Sequence, residues 1–600
     1  MTNILTELVT KNALEYSSRE AYRDNTSGTW VSSTWEEVCH KRDLAAFGME
    51  ILGLRELENI TVFSANRSEI LITDFAAFAN RAVPISIYST STVDQVAYIV
   101  NDSSATIIFV GTQEQYDKAR EAQKTCRSLR QIITYSNDIV RDGEDSTTLT
   151  FDDLLHLGEK ASANCREEVA ARTTRATEDD IATIIYTSGT TGEPKGAVLP
   201  HSCFNAALLK HDERLTTLSD NDTSVCFLPL SHIFEKAWTY FCLHRRMIVG
   251  INNDPHKVQQ AVKEFHPTCM CSVPRFWEKV YTAVQERLAD LKGIKRWMTS
   301  RALKVGRKRN LEYVRLGKKA PWLLEKQYQF FDKHVFGALR HVIGIENPNI
   351  FPTAGAPLSA NIVEFLHSCG INIMIGYGLS ETTATVTCFP EVGYEIGSVG
   401  TTLPGVEVKI GEHDEILVKG PTVMRCYYNK PEATAEAFTP DGWFRTGDAG
   451  RFDETGALIL TERIKDLFKT SNGKYIAPQA LESRLGEDKF IDQVAVIGDQ
   501  RKYVTAIIIP AFEALKEYAR KKHIQYRNIE ELIRNADIRK MLQERIDRIQ
   551  ANFANFEQIK KFTLLPKEFT MEAGELTNTL KIRRPVINNR YASEIEAMYA

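Results

Sequence analysis

The densest cluster of groups that could bind phosphate is the segment Thr187-Ser188-Gly189-Thr190-Thr191-Gly192-Glu193-Pro194-Lys195-Gly196. Its glycines let backbone N–H groups turn inward, its hydroxyls add hydrogen-bond donors, and Lys195 adds a positive charge. The segment is not a Walker A loop, because Pro194 precedes the lysine and no serine or threonine follows it. It comes directly after the apolar, β-branched run Ile181–Tyr186. We therefore predict a phosphate-binding loop that follows a buried strand.

Further segments with polar or glycine-rich patterns follow in order along the chain. They are Leu228-Pro229-Leu230-Ser231-His232-Ile233-Phe234-Glu235, Ala354-Gly355-Ala356-Pro357, Gly376-Tyr377-Gly378-Leu379-Ser380-Glu381-Thr382-Thr383, Gly442-Trp443-Phe444-Arg445-Thr446-Gly447-Asp448, Arg463-Ile464-Lys465-Asp466 and Leu576-Thr577-Asn578-Thr579-Leu580-Lys581. With the phosphate loop, this series resembles the motifs of the AMP-forming acyl-adenylate family. That family includes acyl-CoA synthetases, peptide-synthetase adenylation domains and beetle luciferases. Several matches in sequence order are far more specific than any one of them.

The resemblance implies a two-step reaction that uses ATP, Mg²⁺ and CoA. A carboxylate attacks the α-phosphate of ATP and releases pyrophosphate, and a thiol then attacks the acyl-AMP. Both reactants of the first step are anions, so the site must hold them together and neutralise the charge that builds on the α-phosphate. The positions implied for ATP binding are Thr187, Ser188, Gly189, Thr190, Thr191, Lys195, Gly355, Ala356, Pro357, Tyr377, Gly378, Asp448 and Arg463.

Three residues carry the catalytic roles that the resemblance implies. Glu381 follows a strand end and offers one carboxylate to Mg²⁺ bridging the phosphate oxygens. Thr382 can donate a hydrogen bond to the α-phosphate. Lys581 is expected to reach the carboxylate and the α-phosphate when its domain closes. Many relatives have glycine directly before this lysine, whereas this chain has Leu580, in a Thr-x-Lys form that resembles long-chain fatty acyl members.

The second step is expected to need rotation of the C-terminal domain. By resemblance the hinge falls on Lys465, and Gly473 would let the pantetheine arm of CoA pass close to the backbone. His232 and Phe234 are expected to line the acyl pocket, although His232 could equally be a hydrogen-bonded core histidine. The pattern is most similar to bacterial long-chain fatty acyl-CoA synthetases, which implies a fatty acid substrate.

Two other functions stay open at the level of sequence. One is a fatty acyl-AMP ligase that delivers the acyl group to a carrier protein, and the other is a non-catalytic lipid-binding homologue. Luciferase-like oxidation shares the adenylation motifs but is a rare use of the fold. Retention of Lys195, Glu381, Asp448, Arg463 and Lys581 together argues against a non-catalytic protein.

The pattern of elements that must position these residues predicts an α/β fold. Strand-like and helical patterns alternate over much of the first 460 residues, for example in the helix expected from Ser359 to Gly370 and the strand expected at Ile371–Gly376. Val494–Ile497 and Tyr503–Pro510 suggest a hairpin in a smaller α+β unit. We expect a large N-terminal α/β domain of several subdomains over 1–464 and a small mobile C-terminal domain over 465–600, in an acyl-CoA synthetase/luciferase-like arrangement.

Composition excludes several classes of protein. The chain has 600 residues, 43% of them hydrophobic and 25% charged, as in ordinary soluble proteins. Its net charge of −4 indicates no general affinity for nucleic acid. No uninterrupted apolar run could span a bilayer and no signal peptide is apparent, so we expect a cytoplasmic protein. A homodimer is allowed for, since nothing in the sequence sets the oligomeric state.

The segment 287–340, called the basic segment below, departs from this balance. It contains fifteen lysines and arginines against four acidic residues, together with Trp297 and Trp322. One interpretation is a solvated helical insertion. The other is a surface that meets a polyanionic ligand or anionic lipid, the latter as a peripheral contact at the inner face of the membrane.

Overall fold

The computed structural model describes residues 3–141, 143, 145–187, 193–463, 468–471, 474–571, 573–576 and 582–600. For Glu462, Arg463 and Tyr475 the backbone alone is described. These ranges contain both domains expected from the sequence.

The strands of the described N-terminal region are short and distributed along its whole length. In chain order they are β1 (Glu20–Asp24), β2 (Val31–Thr34), β3 (Asn59–Phe63), β4 (Val83–Ile87), β5 (Ile107–Val110), β6 (Gln131–Thr134), β7 (Thr148–Thr150), β8 (Ile181–Thr187), β9 (Lys195–Pro200), β10 (Thr223–Cys226), β11 (Ile248–Ile251), β12 (Phe351–Thr353), β13 (Ile373–Tyr377), β14 (Thr387–Cys388), β15 (Thr401–Thr402), β16 (Glu407–Ile410), β17 (Glu415–Lys419), β18 (Phe444–Phe452) and β19 (Leu458–Arg463).

Helices alternate with these strands, as the sequence predicts. They are α1 (Ile4–Tyr16), α2 (Trp35–Ile51), α3 (Ser68–Ala79), α4 (Val93–Ser103), α5 (Gln113–Gln123), α6 (Phe151–Glu159), α7 (Ala163–Arg175), α8 (His201–Arg214), α9 (Ile233–His244), α10 (Val258–Phe265), α11 (Pro274–Ala289), α12 (Gly293–Glu312), α13 (Trp322–Phe331), α14 (Gly337–Ile343), α15 (Ala360–Ser368) and α16 (Pro431–Ala437).

The sheets of this region divide it into subdomains. A parallel sheet has the order β4-β3-β5-β6-β7, and its strands β3, β4 and β5 are buried along their full length. Parallel strands with helical crossovers are covered on both faces, which explains their continuous apolar runs. The other sheets have the orders β10-β11-β1-β2, β12-β13-β14-β15, β16-β17-β18-β19 and β8-β9.

The C-terminal region is a separate, smaller α+β unit. It contains β20 (Phe468–Lys469), β21 (Tyr475–Ile476), β22 (Ile491–Ile497), β23 (Val504–Pro510) and β24 (Ile559–Leu564), with α17 (Pro478–Leu485), α18 (Phe512–Lys521), α19 (Ile529–Arg534), α20 (Ala536–Ile549), α21 (Arg584–Arg590) and α22 (Ala592–Tyr599). Strands β22 and β23 form the predicted antiparallel hairpin, and β24 pairs in parallel with β23.

The buried hydrophobic clusters follow the same division. Those of the N-terminal region use residues between Leu5 and Leu458, and those of the C-terminal region use residues between Phe468 and Met598. Within the described ranges no cluster mixes the two sets, so each region has its own core. The α/β class with a large and a small domain is therefore confirmed.

Two details of the predicted elements differ from the sequence expectation. Helix α15 begins at Ala360, and the hydroxyl of Ser359 at its N-cap makes no capping hydrogen bond. Strand β13 begins at Ile373, two residues later than expected, and runs on to Tyr377. Boundary shifts of this size are normal, because helix and strand ends depend on tertiary contacts.

The basic segment is helical and lies on the surface. It begins at the end of α11, contains α12 and α13, and ends within α14. Across the described part of the chain, no helix combines the length and apolar character needed to cross a bilayer.

Candidate active site

The base of the candidate phosphate loop is an antiparallel strand pair. Strands β8 and β9 pair so that Thr187 lies opposite Lys195, and the Thr187 hydroxyl donates to the Lys195 carbonyl at 3.3 Å. The two ends of the loop are thereby held together. The strand predicted before the loop is confirmed, whereas Ser188, Gly189, Thr190 and Thr191 lie outside the described residues.

Two turns leave the same edge of the sheet containing β12 and β13. These strands are parallel neighbours, with Phe351 opposite Ile373 and Thr353 opposite Ile375. The segment Gly355–Pro357 follows β12 and is exposed, and Gly378 follows β13. Ligand sites in α/β sheets form where such carboxyl ends meet. The predicted adenine segments therefore lie side by side.

The turn after β13 depends on a close backbone approach. A Cβ atom on Gly378 would lie 1.8 Å from the carbonyl oxygen of Ala384, so only glycine fits there. The turn then passes through Thr383 and Ala384, both with positive φ. Non-glycine residues in this conformation are strained and are common at functional sites.

Thr382 occupies a different environment from the one its predicted role suggests. Its side chain is fully buried, and its hydroxyl accepts from the Leu379 N–H at 2.9 Å and donates to the Leu379 carbonyl at 3.1 Å. In this structure Thr382 therefore shapes the turn. Donation to an α-phosphate would require the bond to the Leu379 carbonyl to break, and that role stays a prediction.

Glu381 presents its carboxylate on the same turn. The Tyr427 hydroxyl donates to Glu381 Oε1 at 2.7 Å, and no described residue bonds to Oε2. A single carboxylate oxygen suits Mg²⁺, which keeps several waters and is usually held by one or two carboxylates and substrate phosphates. The residues present therefore fit the metal expected from the sequence.

Tyr377 and Asp448 meet although they are 71 residues apart in the chain. The Tyr377 hydroxyl donates to Asp448 Oδ2 at 2.8 Å, and Asp448 lies on β18 directly opposite Arg463 on β19. The backbone of the predicted ribose residues is thus brought beside the predicted adenine residue. The side chain of Arg463 is outside the described residues, as are Lys465, Gly473 and Lys581.

A small apolar cavity, with about 50 Å³ of space free for water-sized occupants, lies beside Tyr377. Its walls come from α8 and α9 on one side, and from β12, β13 and the residues that follow these strands on the other, including Ala354 and Tyr377. The aromatic and aliphatic lining residues include Phe204, Ala207, Leu208, Phe234, Ala237, Trp238 and Phe241.

The polar side chains in the cavity wall are compatible with an apolar occupant. Burial lowers the pKa of His211, which bonds to the Ala207 carbonyl and the Thr385 hydroxyl, so this histidine is neutral near pH 7. The cavity therefore gains no positive charge from His211.

The two predicted acyl-site residues lie differently with respect to this cavity. Phe234 lines it, whereas His232 is not among the lining residues. His232 caps α9, with its Nδ1 accepting from the Phe234 N–H at 3.2 Å. Its ring thus fixes the start of the helix that supplies the wall, and the pocket role of His232 stays a prediction.

Sequence reasoning overlooked two residues that the structure brings into the site or next to it. Tyr427 reaches Glu381 across 46 residues of chain, and no local pattern around it signals that contact. Glu235 follows Phe234, is fully buried and accepts from the Leu228 N–H at 2.9 Å. Burial raises the pKa of Glu235 to about 7. The available signal for Glu235 was the adjacent charged pair Glu235 and Lys236 near the start of a helix whose other residues are mostly apolar.

Comparison with known proteins identifies the family. The profile of AMP-binding enzymes matches residues 9–428, and that of the AMP-binding enzyme C-terminal domain matches residues 465–600.

The chain belongs to the AMP-binding enzyme family.

Among curated members of this family, the long-chain-fatty-acid–CoA ligase FadD15 of Mycobacterium tuberculosis is 32% identical to this AMP-binding enzyme, covering 96% of this chain and 94% of its own length. Human long-chain-fatty-acid–CoA ligase 1 is 29% identical, covering 90% of this chain and 78% of its own length.

Solved structures of AMP-binding enzymes share the fold. The adenylation domain of a carboxylate reductase from Mycobacterium chelonae superposes with a TM-score of 0.74 at 21% identity, covering 99% of this chain and 91% of its own. The anthranilate CoA ligase AuaEII in complex with anthranoyl-AMP superposes with a TM-score of 0.72 at 18% identity, covering 99% and 98%. At these identities the likeness establishes the fold.

Proposed function

We propose that this AMP-binding enzyme is a long-chain fatty acid–CoA ligase. It converts a fatty acid and ATP to acyl-AMP and pyrophosphate, and then transfers the acyl group to CoA with release of AMP. The observation that carries the proposal is the apolar cavity that reaches Tyr377, the predicted adenine residue. The curated relatives named as long-chain-fatty-acid–CoA ligases support the choice of acid and thiol.

In the first step, a carboxylate oxygen of the acid forms a bond to the α-phosphorus, and the bond from that phosphorus to the bridging oxygen breaks. Pyrophosphate leaves with the electron pair. Lys195 and the loop that it closes hold the β- and γ-phosphates, while Asp448 accepts hydrogen bonds from the ribose hydroxyls. Bound Mg²⁺, held by Glu381, would neutralise charge on the phosphate oxygens.

In the second step, the CoA sulfur bonds to the acyl carbonyl carbon, the bond from that carbon to the phosphate oxygen breaks, and AMP leaves. The thiol proton passes to solvent. We assign Lys581 to the first step, Lys465 to the hinge and Gly473 to the pantetheine path. These assignments rest on the motif resemblance, since all three residues lie outside the described ranges.

The test is a panel of acids of increasing chain length with ATP and Mg²⁺, read by pyrophosphate release and mass spectrometry. Parallel reactions contain CoA or an acyl carrier protein. We expect acyl-CoA from long-chain acids. Product only on the carrier protein would identify a fatty acyl-AMP ligase, and no pyrophosphate release with any acid would identify a non-catalytic homologue.

We propose further that the basic segment makes peripheral contact with anionic membrane. Ile294 and Trp297 lie one turn apart at the start of α12 and are 77% and 67% exposed, and Trp322 on α13 is 73% exposed. Within the described residues only four of the segment's fifteen cations are ion-paired, namely Arg307, Arg309, Arg315 and Arg340. Exposed tryptophans among unpaired cations suit a lipid interface. We place the enzyme in the cytoplasm, at the inner face of the membrane.

Vesicle binding tests this contact. Changing Lys292, Lys295 and Arg296 to glutamate should reduce binding to anionic vesicles at least tenfold, since each cation near an anionic surface contributes about 1 kcal/mol, screened by salt. A matched control reverses the exposed Lys160, Lys540 and Lys567 and changes net charge equally. Equal binding by wild type and both variants would show that the segment is a solvated insertion.

A homodimer, which the sequence allows, stays a prediction about the oligomeric state. Light scattering during size-exclusion chromatography gives the mass directly, and the monomer mass of 67.9 kDa would contradict it.

A further inference from the structure

The segment 422–430, called the strap, joins the two parts of the candidate phosphate site. It runs between the Glu381 turn and strand β9 and is held to both by hydrogen bonds. Those bonds are Thr383 Oγ1 to Thr422 O (2.7 Å), Met424 N to Glu381 O (2.7 Å), Arg425 N to Val198 O (3.0 Å), Val198 N to Cys426 O (2.9 Å) and Tyr428 N to Gly196 O (2.8 Å).

Tyr427 is the residue of the strap whose side chain turns into the site. Its hydroxyl donates to Glu381 Oε1 at 2.7 Å. The ammonium nitrogen of Lys195 lies 5.2 Å from the centre of its ring, within the range of a cation–π contact. One side chain therefore touches both a candidate metal carboxylate and a candidate phosphate-binding cation.

Tyr427 is held by its backbone as well as by its hydroxyl. The backbone N–H of Tyr427 donates to the Thr434 hydroxyl at 2.9 Å, which fixes the main chain at this residue.

The bond to Tyr427 gives the two oxygens of Glu381 different tasks. Oε1 is occupied by the phenol, and Oε2 has no partner among the described residues. A carboxylate held in this way cannot rotate freely, so Oε2 keeps one direction toward a bound cation. Supporting groups of this kind typically change metal affinity 10- to 100-fold when they are removed.

We propose that Tyr427 is a positioning residue for adenylation. Its hydroxyl orients the Glu381 carboxylate for Mg²⁺ and its ring holds the Lys195 ammonium, so that both groups meet the ATP phosphates in a set geometry. This inference rests on the proposed ligase function. If the only role of Tyr427 were to pack within the strap, its hydroxyl would not need to bond to the Glu381 carboxylate.

The decisive variant is Tyr427→Phe, which keeps the ring and loses the hydroxyl. The first measurement is calorimetric binding of α,β-methylene-ATP to the full chain, with Mg²⁺ and with EDTA. We expect the variant to lose about tenfold in affinity with Mg²⁺, which corresponds to one hydrogen bond to a charged acceptor. Its affinity in EDTA should equal that of wild type.

A double-mutant cycle separates action through Glu381 from a general structural effect. Glu381→Gln alone should weaken Mg²⁺-dependent binding, and adding Tyr427→Phe to it should have little further effect, since residues that act as a unit are not additive. The matched control is Tyr428→Phe, whose hydroxyl contacts Asn59 instead. We expect this control to bind the analogue as wild type does.

A third variant addresses Lys195. Tyr427→Leu also removes the ring, and we expect it to lower affinity in EDTA as well, because Lys195 loses its support. The proposal is overturned if Tyr427→Phe matches wild type with Mg²⁺, or if it loses affinity equally with and without Mg²⁺. Additive effects in the cycle would also overturn it. Failure of the wild type to release pyrophosphate with any acid would instead contradict the proposed function.

Discussion

Glu235 is a carboxylic acid at the start of α9 with no exposed surface. Burial, as the largest effect, raises its pKa to about 7 from an ordinary value of 4.5, and the Leu228 N–H opposes that shift by bonding to the carboxylate. The folded state is therefore most stable when Glu235 is neutral.

The stability of the enzyme should consequently fall as pH rises through this range. Below pH 4.5 Glu235 is protonated in both the folded and the unfolded chain, and its full contribution to the free energy of unfolding is present. As pH rises toward about 7 the unfolded chain ionises first, and a contribution of roughly 3 kcal/mol is lost. Glu235→Gln cannot ionise, so the free energy of unfolding of wild type minus variant should decrease by about that amount between pH 4.5 and 7.5.

Urea unfolding at several pH values measures this difference, and the other titrating groups cancel in the subtraction. Thermal unfolding of the same pair gives an independent reading. Parallel curves for wild type and Glu235→Gln would mean that the folded-state pKa is not raised.

Helices α8 and α9 form one side of the cavity wall, and the small residues Ala207 and Ala237 on them line it. Ala207 faces the cavity, whereas its neighbour Ala206 on α8 is half-buried and is not among the lining residues. A larger side chain at Ala207 should therefore take space from the acyl chain, and one at Ala206 should not.

We expect Ala207→Phe to shorten the preferred acid. Each CH₂ group that can no longer be buried costs about 0.8 kcal/mol, so excluding two or more should lower kcat/KM for long acids about tenfold or more relative to short ones. Ala206→Phe is the control and should leave the chain-length profile unchanged. An unchanged profile for Ala207→Phe would place the acyl chain elsewhere.

The two domains of the enzyme meet through described contacts, for example the ion pair between Arg275 at the start of α11 and Asp492 on β22. Each domain has its own hydrophobic core, so one can move against the other without unfolding. A lysine in the small domain can then lie beside the substrates in one step and away from them in the next.

Lys581→Ala should separate the two half-reactions. We expect acyl-AMP formation from acid and ATP to fall at least a hundredfold, by analogy with removing one preorganised electrostatic contact. Thioester formation from supplied acyl-AMP and CoA should be retained, because the charge is needed only while carboxylate and phosphate are brought together. Stopped-flow assays of each step make the comparison, and an equal loss in both would assign Lys581 a structural role.

The sequence by itself determined the family and the α/β class, and it predicted strand β8 and the β22–β23 hairpin. These features depend on local composition and on motif order. Buried strands need apolar β-branched runs, and turns beside a nucleotide need glycine, as Gly378 illustrates.

The tertiary structure alone decided which distant residues meet. The bond from Tyr427 to Glu381, the bond from Tyr377 to Asp448 and the apolar cavity all join parts of the chain that are far apart in sequence. The cavity, for example, is lined by α8 and α9 and by β12 and β13. Such contacts arise from how elements pack, and no local pattern records that packing. For the same reason the sequence could assign Thr382 a phosphate role while the folded turn uses its hydroxyl for Leu379.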